Sequence, residues 1–152
     1  MIDPSRLYHI GIVVQDLDKA MDELGAALGY KWSEVRDMSL DFVTPAGPGS
    51  LSARVVFTRQ GPPWLEVIEG PPDSIWSAAN GNALHHLAYY VDDLPLERER
   101  LTALGMEFEV GGRGPDGQVT GFAYYKSPVS GRIELVEERL RDNMERWLTR
   151  GV

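Results

Sequence analysis

The chain has 152 residues, 43% of them hydrophobic and 25% charged, with a formal net charge of −8 and a pI near 4.8. So acidic a protein argues against a nucleic-acid backbone or an anionic membrane as partner, since both select a basic face. Cysteine is absent, which removes disulfides, thiol nucleophiles and thiolate metal sites and leaves histidine, carboxylate and water as ligands for any metal.

The length suits a single domain over residues 1–152. The opening MIDPSRLYHIGIVV lacks a basic leader and a long apolar core. No apolar run reaches the length of a membrane span. The expectation is a cytoplasmic protein without a membrane partner.

In chain order, YHIGIVV reads as a first strand. Leu17, Ala20, Met21, Leu24 and Leu28 then fall at helical spacing, with Asp16 as N-cap and Gly29 as the C-terminal stop. Strands are expected near Trp32–Arg36 (extended by Leu40–Thr44), Ser52–Arg59 and Trp64–Glu69. The stretch from Asp37 to Ser52 is long for a hairpin and reads as a lid, a substrate-specific insertion or a mobile loop. EGPPDSIWSAANGN forms a linker with a helical turn near Ser74–Ala79. HHLAYYV reads as a strand, followed by a helix from about Pro95 to Leu104 that stops at Gly105. Strands follow near Glu107–Val110, Thr120–Tyr125 and Arg132–Val136, and a last helix packs Leu140, Met144, Trp147 and Leu148.

The chain contains a duplication. HIGIVVQDL (His9 to Leu17) aligns with HLAYYVDDL (His86 to Leu94), and LEVIEG (Leu65 to Gly70) aligns with IELVEE (Ile133 to Glu138). His9 then matches His86, and Glu66 matches Glu134. Each copy reads βαβββ: module one covers about 5–70, the linker 71–82, module two about 83–137 and the C-terminal helix 138–150. The fold class is α+β, with two βαβββ modules forming an open, curled β-barrel.

Strand alternation puts His9, Gly11 and Val13 on one face and His86, Ala88 and Tyr90 on the matching face. Glu66 shares its face with Ile68, and Glu134 with Val136. If the sheets curl around a shared cleft, two imidazoles and two carboxylates converge. That donor set suits one divalent ion of the Zn, Ni, Co, Mn or Fe kind. His85, the remaining histidine, falls on the other face and is expected to support His86 rather than to bind metal. Glu69 and Glu137 are expected in solvent. Trp32, Trp64, Trp76, Tyr90, Tyr124 and Tyr125 either line the cleft or fill core. Tyr90, Arg54, Trp64 and Tyr124 are the candidate substrate contacts.

On YHIGIVVQDL, RVVFTRQGPPWLEVIEG, LHHLAYYVDDL and GRIELVE, the chain resembles the vicinal oxygen chelate superfamily. That superfamily includes glyoxalase I, methylmalonyl-CoA epimerase, extradiol dioxygenases and the fosfomycin and bleomycin resistance proteins. The resemblance covers nearly the whole chain and is strongest to the epimerase and glyoxalase-like branch. It implies metal ligation by His9, Glu66, His86 and Glu134, with Glu134 or Glu66 leaving the metal to act as base, and it implies a homodimer. The implied activity is a metal-dependent isomerase, epimerase or lyase removing a proton next to the carbonyl of a small metabolite. One departure bears on substrate: where those epimerases carry an acidic residue before the strand equivalent to ARVVF, this chain reads PGSLSA. The alternatives are a small non-haem iron dioxygenase using His9, His86 and Glu134, and a metal-free drug-binding protein of the bleomycin-resistance kind.

Overall fold

The computed structural model describes residues 1–79, 81 and 83–149. Module one contributes β1 (Leu7–Val13), α1 (Leu17–Leu28), β2 (Arg36–Thr44), β3 (Gly47–Phe57) and β4 (Trp64–Glu69). Module two contributes β5 (Ala83–Val91), α2 (Leu94–Ala103), β6 (Glu107–Arg113), β7 (Val119–Ser127) and β8 (Gly131–Glu137). A short 3-10 turn leads into α3 (Arg141–Thr149). Position 150, the expected end of that helix, lies outside the described residues.

The duplicated Asp-Leu motif starts both helices in the same way. Asp16 accepts a hydrogen bond from the Lys19 N–H at 3.0 Å, and Asp93 accepts one from the Leu96 N–H at 2.9 Å. Each satisfies a donor that the first helical turn leaves open. Gly29 ends α1 with φ 74°, a left-handed conformation that costs glycine nothing.

The strands close a ring in the order β1-β4-β3-β2-β6-β7-β8-β5. Each half has the same internal order, and the two modules pair within one chain. The sheet goes further than an open curl, because Phe42 and Val43 of β2 pair with Gly112 and Gly111 of β6. At the opposite junction β1 and β5 run antiparallel through six residue pairs.

Three expectations are corrected. Residues 37–52 are not a lid or an insertion. They belong to a long hairpin, β2 against β3, that turns tightly at Thr44–Gly47. Met38, Leu40 and Phe42 alternate inward against Leu51, Ala53 and Val55, which a free loop would not do. Trp32 makes only an isolated bridge to Thr58 before β2 begins. The linker segment 74–79 forms successive turns, with Ser74 N–H bonded to Pro71 O and Ser77 N–H to Ser74 O, rather than a helix.

The alternation sorts the core into an inside and an outside. Val13, Phe57, Ile68, Ala88, Tyr90 and Tyr124 meet within the barrel. Val14, Leu17, Val56 and Val67 seal α1 onto the outer surface, and Leu94, Leu101 and Leu135 do the same beneath α2. One end of the barrel is covered by α3, whose Trp147 and Leu148 are buried. The Trp147 indole N–H donates to Glu34 O at 3.0 Å, and the Arg36 guanidinium lies 4.1 Å from the Trp147 ring.

Candidate metal centre

Four neighbouring strands in the ring each deliver one inward donor: Glu66 from β4, His9 from β1, His86 from β5 and Glu134 from β8. The register explains their convergence. Gly11 pairs with Glu66 on one side and His86 on the other, while Ala88 pairs with His9 and Glu134. Each module therefore places a small residue opposite the other module's histidine, and the rings project over it. The duplication is visible at the level of single contacts.

The four donors meet closely. His9 Nε2 and His86 Nε2 are 2.7 Å apart. Glu134 Oε2 lies 3.1 Å from His9 Nε2 and 3.2 Å from His86 Nε2, and Glu66 Oε2 lies 3.3 Å from each. Ligand atoms held about 2.1 Å from a common ion stand roughly 3.0–3.4 Å apart in octahedral or tetrahedral geometry. The four imidazole–carboxylate separations fall in that range, and the 2.7 Å between the two imidazole nitrogens is shorter.

Protons alone serve this cluster poorly. Two imidazolium groups would point N–H at N–H across 2.7 Å, so the pair can hold one proton between its Nε2 atoms. Glu66 Oε2 and Glu134 Oε2 are sealed from solvent without completing a hydrogen bond. Buried unpaired carboxylate oxygens are expensive. A cation held by His9, His86 and Glu134, whose ligand atoms all lie within 4.8 Å of one another, would satisfy these lone pairs, with Glu66 Oε2 3.3 Å from both imidazoles, so the residues present fit a divalent ion.

His85 has a defined place. Its Nε2 lies 2.6 Å from Ile75 O, and its Nδ1 lies 2.8 Å from His86 Nδ1. A carbonyl can only accept, so His85 donates through Nε2 and accepts from the His86 Nδ1–H. The network thus assigns His86 the tautomer whose Nε2 lone pair faces the cluster. Burial first, and then the Arg132 and His86 charges, push His85 down to about 4, which keeps it neutral and able to accept.

For His9, burial opposes protonation, but the Glu66 and Glu134 carboxylates outweigh it and hold the imidazole up at about 9. Burial likewise raises Glu66 and Glu134, yet the two imidazoles hold both below the usual carboxylate range. The folded-state pKa of His9 thus lies above its ordinary 6.5. Its proton stabilises the ion-free fold fully below pH 6.5, and that contribution is lost as pH rises to about 9. A divalent ion must displace the proton, so its benefit runs the other way. The melting temperature of chelator-treated protein is expected to fall between pH 6.5 and 9, while the increment from added zinc grows. An ion-free melting temperature that climbs through this window would contradict the arrangement.

The cluster opens into an apolar cavity of about 160 Å³. Met38, Leu40, Ala53 and Val55 form one wall, and Met144 and Trp147 of α3 form the end. Tyr124 stands edge-on to His86 with ring centroids 5.0 Å apart, and its hydroxyl lies 3.4 Å from the Trp76 indole nitrogen. Burial first, then the Glu134 and Glu66 charges, push the Tyr124 phenol well up.

The other candidate substrate contacts lie elsewhere. Tyr90 and Trp64 border a separate cavity of about 390 Å³ beside Arg6, Arg59 and Arg141. Tyr90 is stacked on Tyr8 and covered by the Arg141 guanidinium, 4.4 Å from its ring. Arg54 lies outside the barrel, bridging Asp18 and Glu69, because its neighbours Ala53 and Val55 take the inward positions. Glu69 is not simply solvated: it also accepts the Leu17 N–H at the start of α1, at 2.7 Å. Glu137 is paired with Arg139 and only partly exposed. Trp32 and Tyr125 pack in the outer layers.

Tyr8 and Phe57 also line the cavity, and neither was singled out from sequence. Phe57 was legible, two residues on from Val55 at the strand period. Tyr8 was not. A register irregularity between Leu7 and His9 turns adjacent residues inward together.

The chain matches the family model described as the Glyoxalase/Bleomycin resistance protein/Dioxygenase superfamily over residues 8–125. A search of the curated proteins gives no match. Among solved structures, a hypothetical protein from Bacillus halodurans C-125 aligns with TM-score 0.64 and 20% identity, over 87% of this chain and 93% of that one. Methylmalonyl-CoA epimerase from Mycobacterium tuberculosis aligns with TM-score 0.63 and 21% identity, over 93% and 97%. A variant of the Streptomyces coelicolor epimerase in complex with 2-nitronate-propionyl-CoA aligns with TM-score 0.61 and 22% identity, over 87% and 93%. At these identities the likeness shows the fold. With a family match that covers most of the chain and reaches from β1 into β7, the chain belongs to the glyoxalase, bleomycin resistance protein and dioxygenase superfamily.

Proposed function

We propose that this protein is a metal-dependent isomerase, epimerase or lyase that removes a proton next to a carbonyl group of a small substrate. The observation carrying the reading is the convergence of four donors, His9, Glu66, His86 and Glu134, three of which line an apolar cavity. A divalent ion bound by them would act as a Lewis acid on a substrate carbonyl oxygen and acidify the adjacent C–H.

The chain's own groups supply the rest. His86, locked by His85 and Ile75, is the fixed donor. Glu66 and Glu134 enter from opposite modules and flank the same pair of imidazole nitrogens, so either carboxylate can swing toward a substrate proton while its twin stays in place. The apolar walls keep water from competing for that proton and strengthen each charge inside. Four buried ionisable groups would be a costly way to build a metal-free ligand pocket.

The test is exchange of the α-proton of hydroxyacetone or 2-hydroxyacetophenone into D₂O, followed by NMR on zinc-, nickel-, cobalt- and manganese-loaded protein. Glu134→Gln or Glu66→Gln should slow exchange roughly 10²–10⁴-fold while retaining part of the metal. If both variants exchange at the wild-type rate, neither carboxylate is the base.

A second reading has a specific observation behind it. His9, His86 and Glu134 offer ligand atoms that all lie within 4.8 Å of one another, the two-histidine, one-carboxylate set of non-haem iron oxygenases. Glu66 is surplus to that set yet stands 3.3 Å from both imidazoles, which favours the first reading. Oxygen uptake by Fe(II)-loaded protein with a catechol, without α-proton exchange in the zinc form, would reverse the order.

A further inference from the structure

We propose that the substrate is a compact, uncharged molecule whose body is the size of a benzene ring, and not a thioester or other conjugate recognised through a polyanionic carrier. This rests on the metal-centre reading above and adds what the cavity says about the rest of the ligand. Apolar cavities of about 150 Å³ admit a benzene-sized guest, and this one has about 160 Å³. Its walls hold no lysine or arginine, and the charged side chains among them are His9, Glu66 and Glu134, the donors themselves. Every other wall is aliphatic, thioether or aromatic. Tyr124 and Trp76 turn their polar atoms towards each other.

Four arginines beside its lining residues are already engaged. Arg36 lies on the Trp147 ring, and Arg141 lies on Tyr90 and pairs with Glu138. Arg6 and Arg54 are each held by two carboxylates. With a net charge of −8, the surface repels a polyphosphate tail rather than steering it in. A site shaped this way spends its specificity on one oxygen-bearing end and on burial of an apolar body.

The experiment holds the chelating head constant and varies the body. Zinc-loaded protein is titrated by calorimetry with benzohydroxamate and with acetohydroxamate, and propionyl-CoA is tested as competitor. Benzohydroxamate is expected to bind about thirtyfold more tightly, from the extra ring surface taken out of water, and propionyl-CoA should not displace it. Ala53→Leu, which narrows the chamber, should erase the preference while keeping acetohydroxamate affinity and zinc content. Equal affinities for the two hydroxamates, or displacement by propionyl-CoA, would overturn the inference and leave the metal centre standing. Failure to retain zinc at all would overturn the metal centre, and the inference with it.

Discussion

Replacing His86 with alanine is expected to lower zinc affinity by roughly two to three orders of magnitude, the share of one ligand in a four-ligand structural site. The imidazole supplies one of four donors, and its loss leaves Glu66 and Glu134 flanking a gap. His85→Ala is expected to be milder, about 10–100-fold, although His85 is adjacent in sequence and equally buried. His85 spends both ring nitrogens on Ile75 O and His86 Nδ1. Its removal frees the His86 tautomer without removing a ligand atom. Elemental analysis of the purified variants, with competition against a chelator of known affinity, separates the two. Equal losses in both, or full zinc retention in His86→Ala, would sink the assignment.

Gly11→Ala is expected to be as damaging as a ligand substitution, although it deletes nothing. A methyl group there would fall 1.9 Å from His86 Cε1 and 2.4 Å from His86 Nδ1. The ring cannot yield cheaply, because Nδ1 is held by His85 and Nε2 belongs to the cluster. The strand cannot yield either, since Gly11 is paired to Glu66 on one side and His86 on the other. The expected cost is about 2–3 kcal/mol of stability, typical of overpacking a filled interior, together with loss of zinc. Ala88→Gly, at the matched position in module two, should cost only about 0.5–1 kcal/mol. Denaturant titration with metal analysis checks both. A Gly11→Ala protein with wild-type stability and zinc content would contradict the register.

Much of the centre was legible because duplication supplies an internal control. A lone histidine in a strand says little, but His9 over His86 and Glu66 over Glu134 fix face and register together. Alternation then placed all four inside. The same rule, applied to Arg54, would have put it outside beside Ala53 and Val55. It read Leu40–Thr44 as strand, but Pro45, Gly47, Pro48 and Gly49 hid that the strand runs on through a tight turn into β3. Tyr8 escaped because a bulge breaks the period. The relay through His85 to Ile75 joins a strand residue to one ten positions back, inside a linker whose turns have no periodic signature.

The barrel is bound like a book. Its spine is the β1–β5 junction, six residue pairs long and flanked by the parallel strands β4 and β8. All four donors sit along that spine. The fore-edge is the β2–β6 junction, closed by two pairs in which both β6 residues are glycine. The fore-edge is therefore the seam at which the fewest residue pairs hold the covers together. The two seams of one sheet thus differ in kind: four donors stand along the long one, and the short one, opposite, carries none of them.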